Sequence, residues 1–202
     1  MTHTLLRRAV FLDRDGTINV NRPDHVKSLD EFELIPGAIQ AIRQLGATPL
    51  AIIVISNQSV INRGFASAQT VAAINEHLLQ TVRRHGGRID GIYYCPHRPD
   101  EQCQCRKPRP GLLLQAQQEH GLDLAGSYVV GDAATDVDLA LAAGCHPVLV
   151  LTGRGAAQRV HLTEQQLRQT YIASDLAEAA RWICQHENTL HSIEQAERVG
   201  DL

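Results

Sequence analysis

The sequence predicts an open, doubly wound (Rossmann-like) α/β fold on a mostly parallel sheet. Two observations lead there. Short apolar runs of strand length recur along the chain, and most are separated by stretches whose apolar residues keep helical spacing. A length of 202 residues, 44% hydrophobic and 20% charged, adds that a single domain over 1–202 can bury a sizeable core.

Residues 9–12 (Ala-Val-Phe-Leu) form the first run and end directly at Asp13. Pro36 opens a helix with Ile39, Ile42 and Leu45 on one face and Gly46 as its stop. The second run is 50–55. Ser67 caps the next helix, where Val71, Ile74, Leu78 and Val82 keep helical spacing up to Gly86-Gly87. The third run is 91–94; Pro110 to His120 is then a helix closed by Gly121. The fourth run, 128–130, leads to a helix from Ala133 to Ala143 that ends at Gly144, and the fifth is 148–151. Residues 154–170 are less regular, although Thr163 and Gln166 are spaced for a capping box. Tyr171-Ile172-Ala173 is a short sixth run, and 175–185 the last clear helix. The polar residues 187–202 are expected as a surface helix or a frayed tail.

Composition narrows the function. A net charge of −3 with few aromatics gives no pull toward nucleic acid or an anionic membrane. No apolar stretch is long enough to span a bilayer, and the four apolar residues after Arg7-Arg8 are too few for a signal-peptide core. A cytoplasmic, reducing location is expected, where cysteines serve as free thiols or metal ligands.

The residues directly behind the apolar runs carry the chemistry. After the first run come Asp13-Arg14-Asp15-Gly16-Thr17, and after the second Ser56-Asn57-Gln58-Ser59. After the fourth come Gly131-Asp132 and then Asp136; Arg106-Lys107-Pro108 lies between the third and fourth. Taken singly, each reads best as a turn, a helix cap or a surface charge. Taken together, a doubly wound sheet gathers them at one edge. Four clustered acids need a hard cation, and oxygen-only ligands suit Mg²⁺. A hydroxyl-and-amide loop and a lysine beside them suit a phosphoryl group, and a carboxylate nucleophile gives an acyl-phosphate.

Cys95-Pro96-His97, five further residues and Cys103-Gln104-Cys105 place three thiols and an imidazole within eleven residues. That is a strong zinc signal. Four protein ligands leave no open position, so this Zn²⁺ is expected to be structural and to pin the loop 95–105 that runs into Arg106-Lys107. Cys145 and Cys184 are expected to pack in the core.

Asp13-Arg14-Asp15-Gly16-Thr17-Ile18, Ser56-Asn57-Gln58, Arg106-Lys107-Pro108 and Gly131-Asp132-x-x-x-Asp136 resemble the four motifs of the haloacid dehalogenase (HAD) superfamily of phosphatases, over nearly the whole chain. The resemblance implies that Asp13 attacks phosphorus and that Asp15 protonates the leaving oxygen and then activates water. It implies that Ser56 and the Asn57 backbone hold the phosphate while Lys107 neutralises it. Mg²⁺ would be bound by Asp13, Asp132 and the Asp15 carbonyl, with Asp136 orienting the lysine or the metal's waters. The zinc loop resembles the histidinol-phosphate phosphatase-like group. Ser56-Asn57-Gln58-Ser59, Arg63-Gly64, Gly91-Ile92-Tyr93-Tyr94-Cys95-Pro96-His97 and Lys107-Pro108-Arg109-Pro110-Gly111 resemble its heptose bisphosphate branch. That branch implies loss of the 7-phosphate from D-glycero-D-manno-heptose 1,7-bisphosphate, with Arg63 and Arg106 as substrate-binding arginines.

Two departures stand out. The branch usually has Gly-Ile-Ala-Arg-Gly where this chain has Val60-Ile61-Asn62-Arg63-Gly64, and usually a basic residue where this chain has Ala133. Histidinol phosphate is the alternative substrate, and a catalytically silent, zinc-stabilised binding protein the alternative class. No long insertion comes after the first or second strand, so 19–34 is expected to make a short flap rather than a large cap domain. The expected partner is a small phosphorylated sugar met by a monomer, with neither nucleic acid nor membrane.

Overall fold

The computed structural model describes residues 6–200, with side chains followed to residue 190. Six strands form one parallel sheet: β1 (Arg7–Leu12), β2 (Ala51–Asn57), β3 (Gly91–Cys95), β4 (Leu122–Gly131), β5 (His146–Val150) and β6 (Tyr171–Ala173). Their order is β3-β2-β1-β4-β5-β6. The chain moves outward from β1 to β3, then returns to place β4 on the other side of β1. This reversal opens a crevice beyond the carboxyl ends of β1 and β4.

The sheet is covered on both faces, which is why its strands read as apolar runs rather than alternating ones. Along β1, Val10 and Leu12 face the layer of α1 (Ala38–Gly46), α2 (Ala68–Arg84) and α7 (Leu176–Gly200). Ala9 and Phe11 face the opposite layer, built from α3 (Gly111–His120) and α4 (Ala134–Ala143). Short α5 (Gly155–Gln158) and α6 (Glu164–Gln169) occupy the irregular stretch after β5. The expected caps are present: Ser67 Oγ accepts from Thr70 N at 3.0 Å, and Thr163 and Gln166 form the capping box.

Several elements extend beyond the expected bounds, three of them with consequences for the site or the sheet. β2 includes Ser56 and Asn57, so two motif residues are fixed by ladder pairing with Tyr94 and Cys95. β4 begins at Leu122 rather than at Tyr128, because Arg7 and Arg8 pair with Leu122 and Asp123 before the register shifts. Asp123 and Gly126 break the apolar run there and hide the strand from composition. α7 runs on past Gln185 to Gly200, with no Gly or Pro to stop it earlier. Its Glu187 accepts from Tyr128 Oη at 2.8 Å and pairs with Arg8 at 3.1 Å, tying part of the polar tail to the sheet. Residues 201–202 of that tail lie outside the described residues.

Candidate active site

β1 delivers Asp13 to the crevice, where its N–H donates to Val130 O at 2.8 Å and continues the pairing with β4. Gly16, at φ 95, lets the chain turn at once, and Gly16 N bonds Asn19 O at 2.7 Å. The Thr17 hydroxyl is buried without a hydrogen-bond partner among the described residues.

The turn separates the two aspartates. Asp13 points to Lys107, with Nζ 2.7 Å from its Oδ1; the same ammonium lies 2.7 Å from Asp136 Oδ1. Asp15 points to Arg14, whose Nη2 lies 3.1 Å from both carboxylate oxygens. Asn19 Nδ2 at 2.8 Å and Gln58 Nε2 at 2.6 Å also donate to Asp15. Arg14 is 1% exposed and further donates to Asn75 and Gln58. It reads in the sequence as a spacer, yet it is the buried counter-charge of the second aspartate.

Oxygen atoms of Asp13, Asp132 and Asp136 all lie within 4.8 Å of one another, and all three side chains are buried. Asp132 ends β4 in a cradle between two turns, where a Cβ on Gly16 or Gly153 would collide with its carboxylate. Lys107 and Arg154 set two cations against three buried carboxylates, which leaves excess negative charge. An all-oxygen donor set of this size fits Mg²⁺. The Asp15 carboxylate is not part of this cluster.

The ionisation of these groups reflects that imbalance. Burial, only partly opposed by Lys107 and reinforced by Asp136 and Asp132, pushes the Asp13 carboxyl up to about 7. Burial works against a charged Lys107, but Asp13 and Asp136 outweigh it and its ammonium is held more firmly than an ordinary lysine's. Burial also works against a charged Asp15, yet Arg14, Asn19 and Gln58 together hold its carboxyl below the usual range.

The phosphate-loop residues lie beside the acids. Ser56 is 2% exposed, and its Oγ accepts from Gln58 Nε2 at 2.6 Å. The Asn57 side chain clamps the Lys107 backbone, accepting from its N–H at 3.0 Å and donating to its carbonyl at 3.2 Å. A cavity of about 700 Å³ opens over this floor, lined by Asp13, Asp15, Ser56, Asn57, Lys107 and Asp136. The segment 19–34 contributes Arg22, Pro23, His25 and Val26 to its wall as a helix-free flap.

Arg106 lines this cavity, and its Nη1 donates to His97 O at 3.1 Å. Arg63 does not. Gly64 after it in the same loop takes φ 72, and the Arg63 Nε donates at 3.3 Å to the Oγ of Ser59, a residue of the cavity wall. Asn62, one of the unusual residues, donates through Nδ2 to Glu101 at 3.0 Å and fastens that loop to the zinc loop.

The Cys95, Cys103 and Cys105 sulfurs lie 3.2–3.5 Å apart, with His97 Nδ1 3.3 Å from Cys105 Sγ and 3.5 Å from Cys95 Sγ. Ligands at about 2.0–2.3 Å from a tetrahedral zinc stand roughly 3.3–3.8 Å from one another, so the four residues fit the ion closely. Cys105 is two residues from Lys107, whose ammonium reaches Asp13. Cys105→Ala is therefore expected to lose zinc, melt earlier and lose most of its phosphatase activity. Metal content, melting temperature and phosphate release on one preparation check this; full activity in zinc-free protein would contradict it.

Arg22 and Arg154 line the cavity without having been singled out in the sequence, and so does Arg109, which was noted only as part of the motif after Lys107. For Arg154 a signal was available. It comes after the fifth apolar run in Thr152-Gly153-Arg154-Gly155, the position relative to a strand end that identified the other site residues.

A sequence profile of the family described as HAD-hydrolase-like matches residues 104–179. The chain is 41% identical, over 89% of its length, to the D-glycero-beta-D-manno-heptose-1,7-bisphosphate 7-phosphatase of Pseudomonas aeruginosa, and covers 99% of that protein. The crystal structure of D,D-heptose 1,7-bisphosphate phosphatase from B. bronchiseptica, complexed with magnesium and phosphate, matches with a TM-score of 0.83 and 37% identity, over 89% of this chain and 99% of that one. The corresponding enzyme from Burkholderia thailandensis matches with a TM-score of 0.66 and 31% identity, over 86% and 96%.

Proposed function

The chain belongs to the HAD-like hydrolases and, within them, to the heptose-1,7-bisphosphate 7-phosphatase family, and from that premise we propose that it removes the 7-phosphate of D-glycero-D-manno-heptose 1,7-bisphosphate through an aspartyl-phosphate at Asp13. The observation that carries the reading is Lys107 bridging Asp13 and Asp136 at 2.7 Å each, beside buried Asp132.

In the first half-reaction an Asp13 carboxylate oxygen bonds to phosphorus as the bond to the sugar oxygen breaks. The sugar oxygen leaves with a proton from Asp15. In the second, Asp15 takes a proton from water, the water oxygen bonds to phosphorus, and Asp13 leaves as a carboxylate with inorganic phosphate released. The hydrogen bonds and Arg14 that hold Asp15 as a carboxylate suit it to the second half. For the first half, the approach of the phosphate dianion raises its affinity for a proton. Lys107 supplies positive charge to the phosphoryl oxygens and fixes Asp13, with its own backbone held by Asn57.

Mg²⁺, with which the Bordetella relative was crystallised, would be held by Asp13, Asp132 and the Asp15 carbonyl, with Asp136 beside them. When bound it neutralises the acid cluster and the charge on the phosphoryl oxygens. Zn²⁺ would be held by Cys95, His97, Cys103 and Cys105. A soluble, cytoplasmic, monomeric enzyme fits this substrate; among the described residues no helix is long and apolar enough to cross a membrane.

Phosphate release from heptose 1,7-bisphosphate (both anomers) and from histidinol phosphate, with and without Mg²⁺, tests the proposal. The expected result is Mg²⁺-dependent release from the heptose alone, leaving the 1-phosphate in place. Turnover of histidinol phosphate with none of the heptose would overturn it.

A further inference from the structure

Ala133, directly after Asp132, is 3% exposed, and its side chain offers no charge to the site. Another strand end places a cation nearby. Arg154 comes after β5, and its Nη2 donates to Asp132 Oδ1 at 3.0 Å and its Nε to Oδ2 at 3.3 Å. Its backbone N–H donates separately to Asp132 Oδ2 at 2.8 Å. The turn carrying it is fixed from both sides: Thr152 Oγ1 donates to Gly16 O at 2.6 Å, and Gly155 N to Thr152 O at 2.8 Å.

The exposure of the two partners differs in an informative way. Asp132 is fully buried, whereas the Arg154 side chain is 53% exposed and lines the cavity over Asp13 and Asp136. The guanidinium therefore keeps contact with the open cavity while it pairs with a carboxylate that has none. It stands at the cavity wall, close enough to all three acids for each to favour its charged form. Asp132 uses Nε and one Nη of a group that has five N–H donors in a planar fork suited to phosphate oxygens.

We infer that Arg154 is a phosphate-binding residue of the reaction, supplying from the turn after β5 the positive charge that this chain lacks at Ala133. This role rests on the phosphatase reading of the site. Asp132 is also where Mg²⁺ would be held; the Arg154 donors that Asp132 does not use would be available to phosphoryl oxygens, with the backbone N–H supporting Asp132. Arg154→Ala therefore removes the guanidinium and leaves the backbone support intact.

Calorimetric titration of inorganic phosphate at saturating Mg²⁺, and of Mg²⁺ alone, tests this on the full chain. The proteins are the parent, Arg154→Ala, Arg154→Lys, and Arg154→Ala combined with Ala133→Lys. Loss of one charge-assisted contact is expected to weaken phosphate binding by about 10- to 100-fold in Arg154→Ala. Arg154→Lys recovers part of that loss, and so does the lysine at 133 in a protein with the parent's melting temperature. Mg²⁺ affinity stays within about threefold of the parent or tightens, because a competitor for Asp132 has gone. Phosphate binding within about twofold of the parent in Arg154→Ala would overturn the inference. So would Mg²⁺ affinity falling in step with phosphate affinity, which would make Arg154 a prop for Asp132, and so would a parent protein that binds no phosphate. A parent that binds phosphate but leaves heptose bisphosphate intact refutes the substrate reading alone.

Discussion

An Asp13→Asn protein is expected to fold normally and to lose turnover by roughly 10⁴-fold or more, the scale seen when a covalent nucleophile is removed. The amide keeps the size of the side chain and a carbonyl oxygen that can still accept from Lys107. It cannot form the acyl-phosphate that the two-step chemistry requires. Substrate affinity should survive, because Ser56, Lys107 and the cavity wall are untouched. Steady-state kinetics and a thermal melt on the same preparation check both halves. An Asp13→Asn protein that hydrolyses phosphate esters within tenfold of the parent would, at about 1.4 kcal/mol per factor of ten, make the nucleophile assignment untenable.

Lys107→Met is expected to damage stability and activity together. The ammonium is 3% exposed and is shared by Asp13 and Asp136. Removing one partner of a buried ion pair costs about 3–5 kcal/mol. At about 2–4 °C per kcal/mol for a domain of this size, the melting temperature should fall by roughly 6–20 °C in chelator. Turnover should fall by about 10²- to 10³-fold with loss of one preorganised charge at the reacting group. The stability loss should also depend on pH, with a definite sign. In the metal-free protein the Asp13 pKa is raised to about 7, so protonation of Asp13 stabilises the fold below the unfolded carboxylate range. That stabilisation is lost as pH rises through 7, and Lys107 is what makes the ionised form tolerable. The variant's deficit should therefore be smallest below pH 7, where Asp13 is protonated in both proteins, and should widen as pH rises from about 7 to about 9. Melts in chelator across that range check the prediction, and a pH-independent deficit would contradict it.

Most of this site was legible because its residues come directly after buried strands. Asp13, Ser56 and Asp132 each end an apolar run, so the topology alone brings them together. The clustering of Cys95, His97, Cys103 and Cys105 was legible because soft side chains at that spacing have few other uses. Arg14 was not legible, since a sequence does not say that a charged side chain between two acids turns inward to Asn75 and Gln58. The Asn57 side chain was missed for a related reason: its partner is the backbone of a residue fifty positions away. Arg63 was expected at the substrate; it is not itself a lining residue, but its Nε donates to Ser59, which is. The first half of β4 was hidden by Asp123 and Gly126, whose place beside β1 only tertiary pairing makes visible.

The proposed mechanism turns on a covalent bond between Asp13 and phosphorus, and one measurement addresses it directly. Protein mixed with heptose bisphosphate and Mg²⁺ is quenched in acid during turnover, reduced with borohydride and digested. Mass spectrometry then locates the reduced residue. An acyl-phosphate on Asp13 predicts homoserine at position 13 in the quenched protein and none without substrate. Reduction at a different residue, or an unmodified Asp13 in protein that is visibly releasing phosphate, would contradict it.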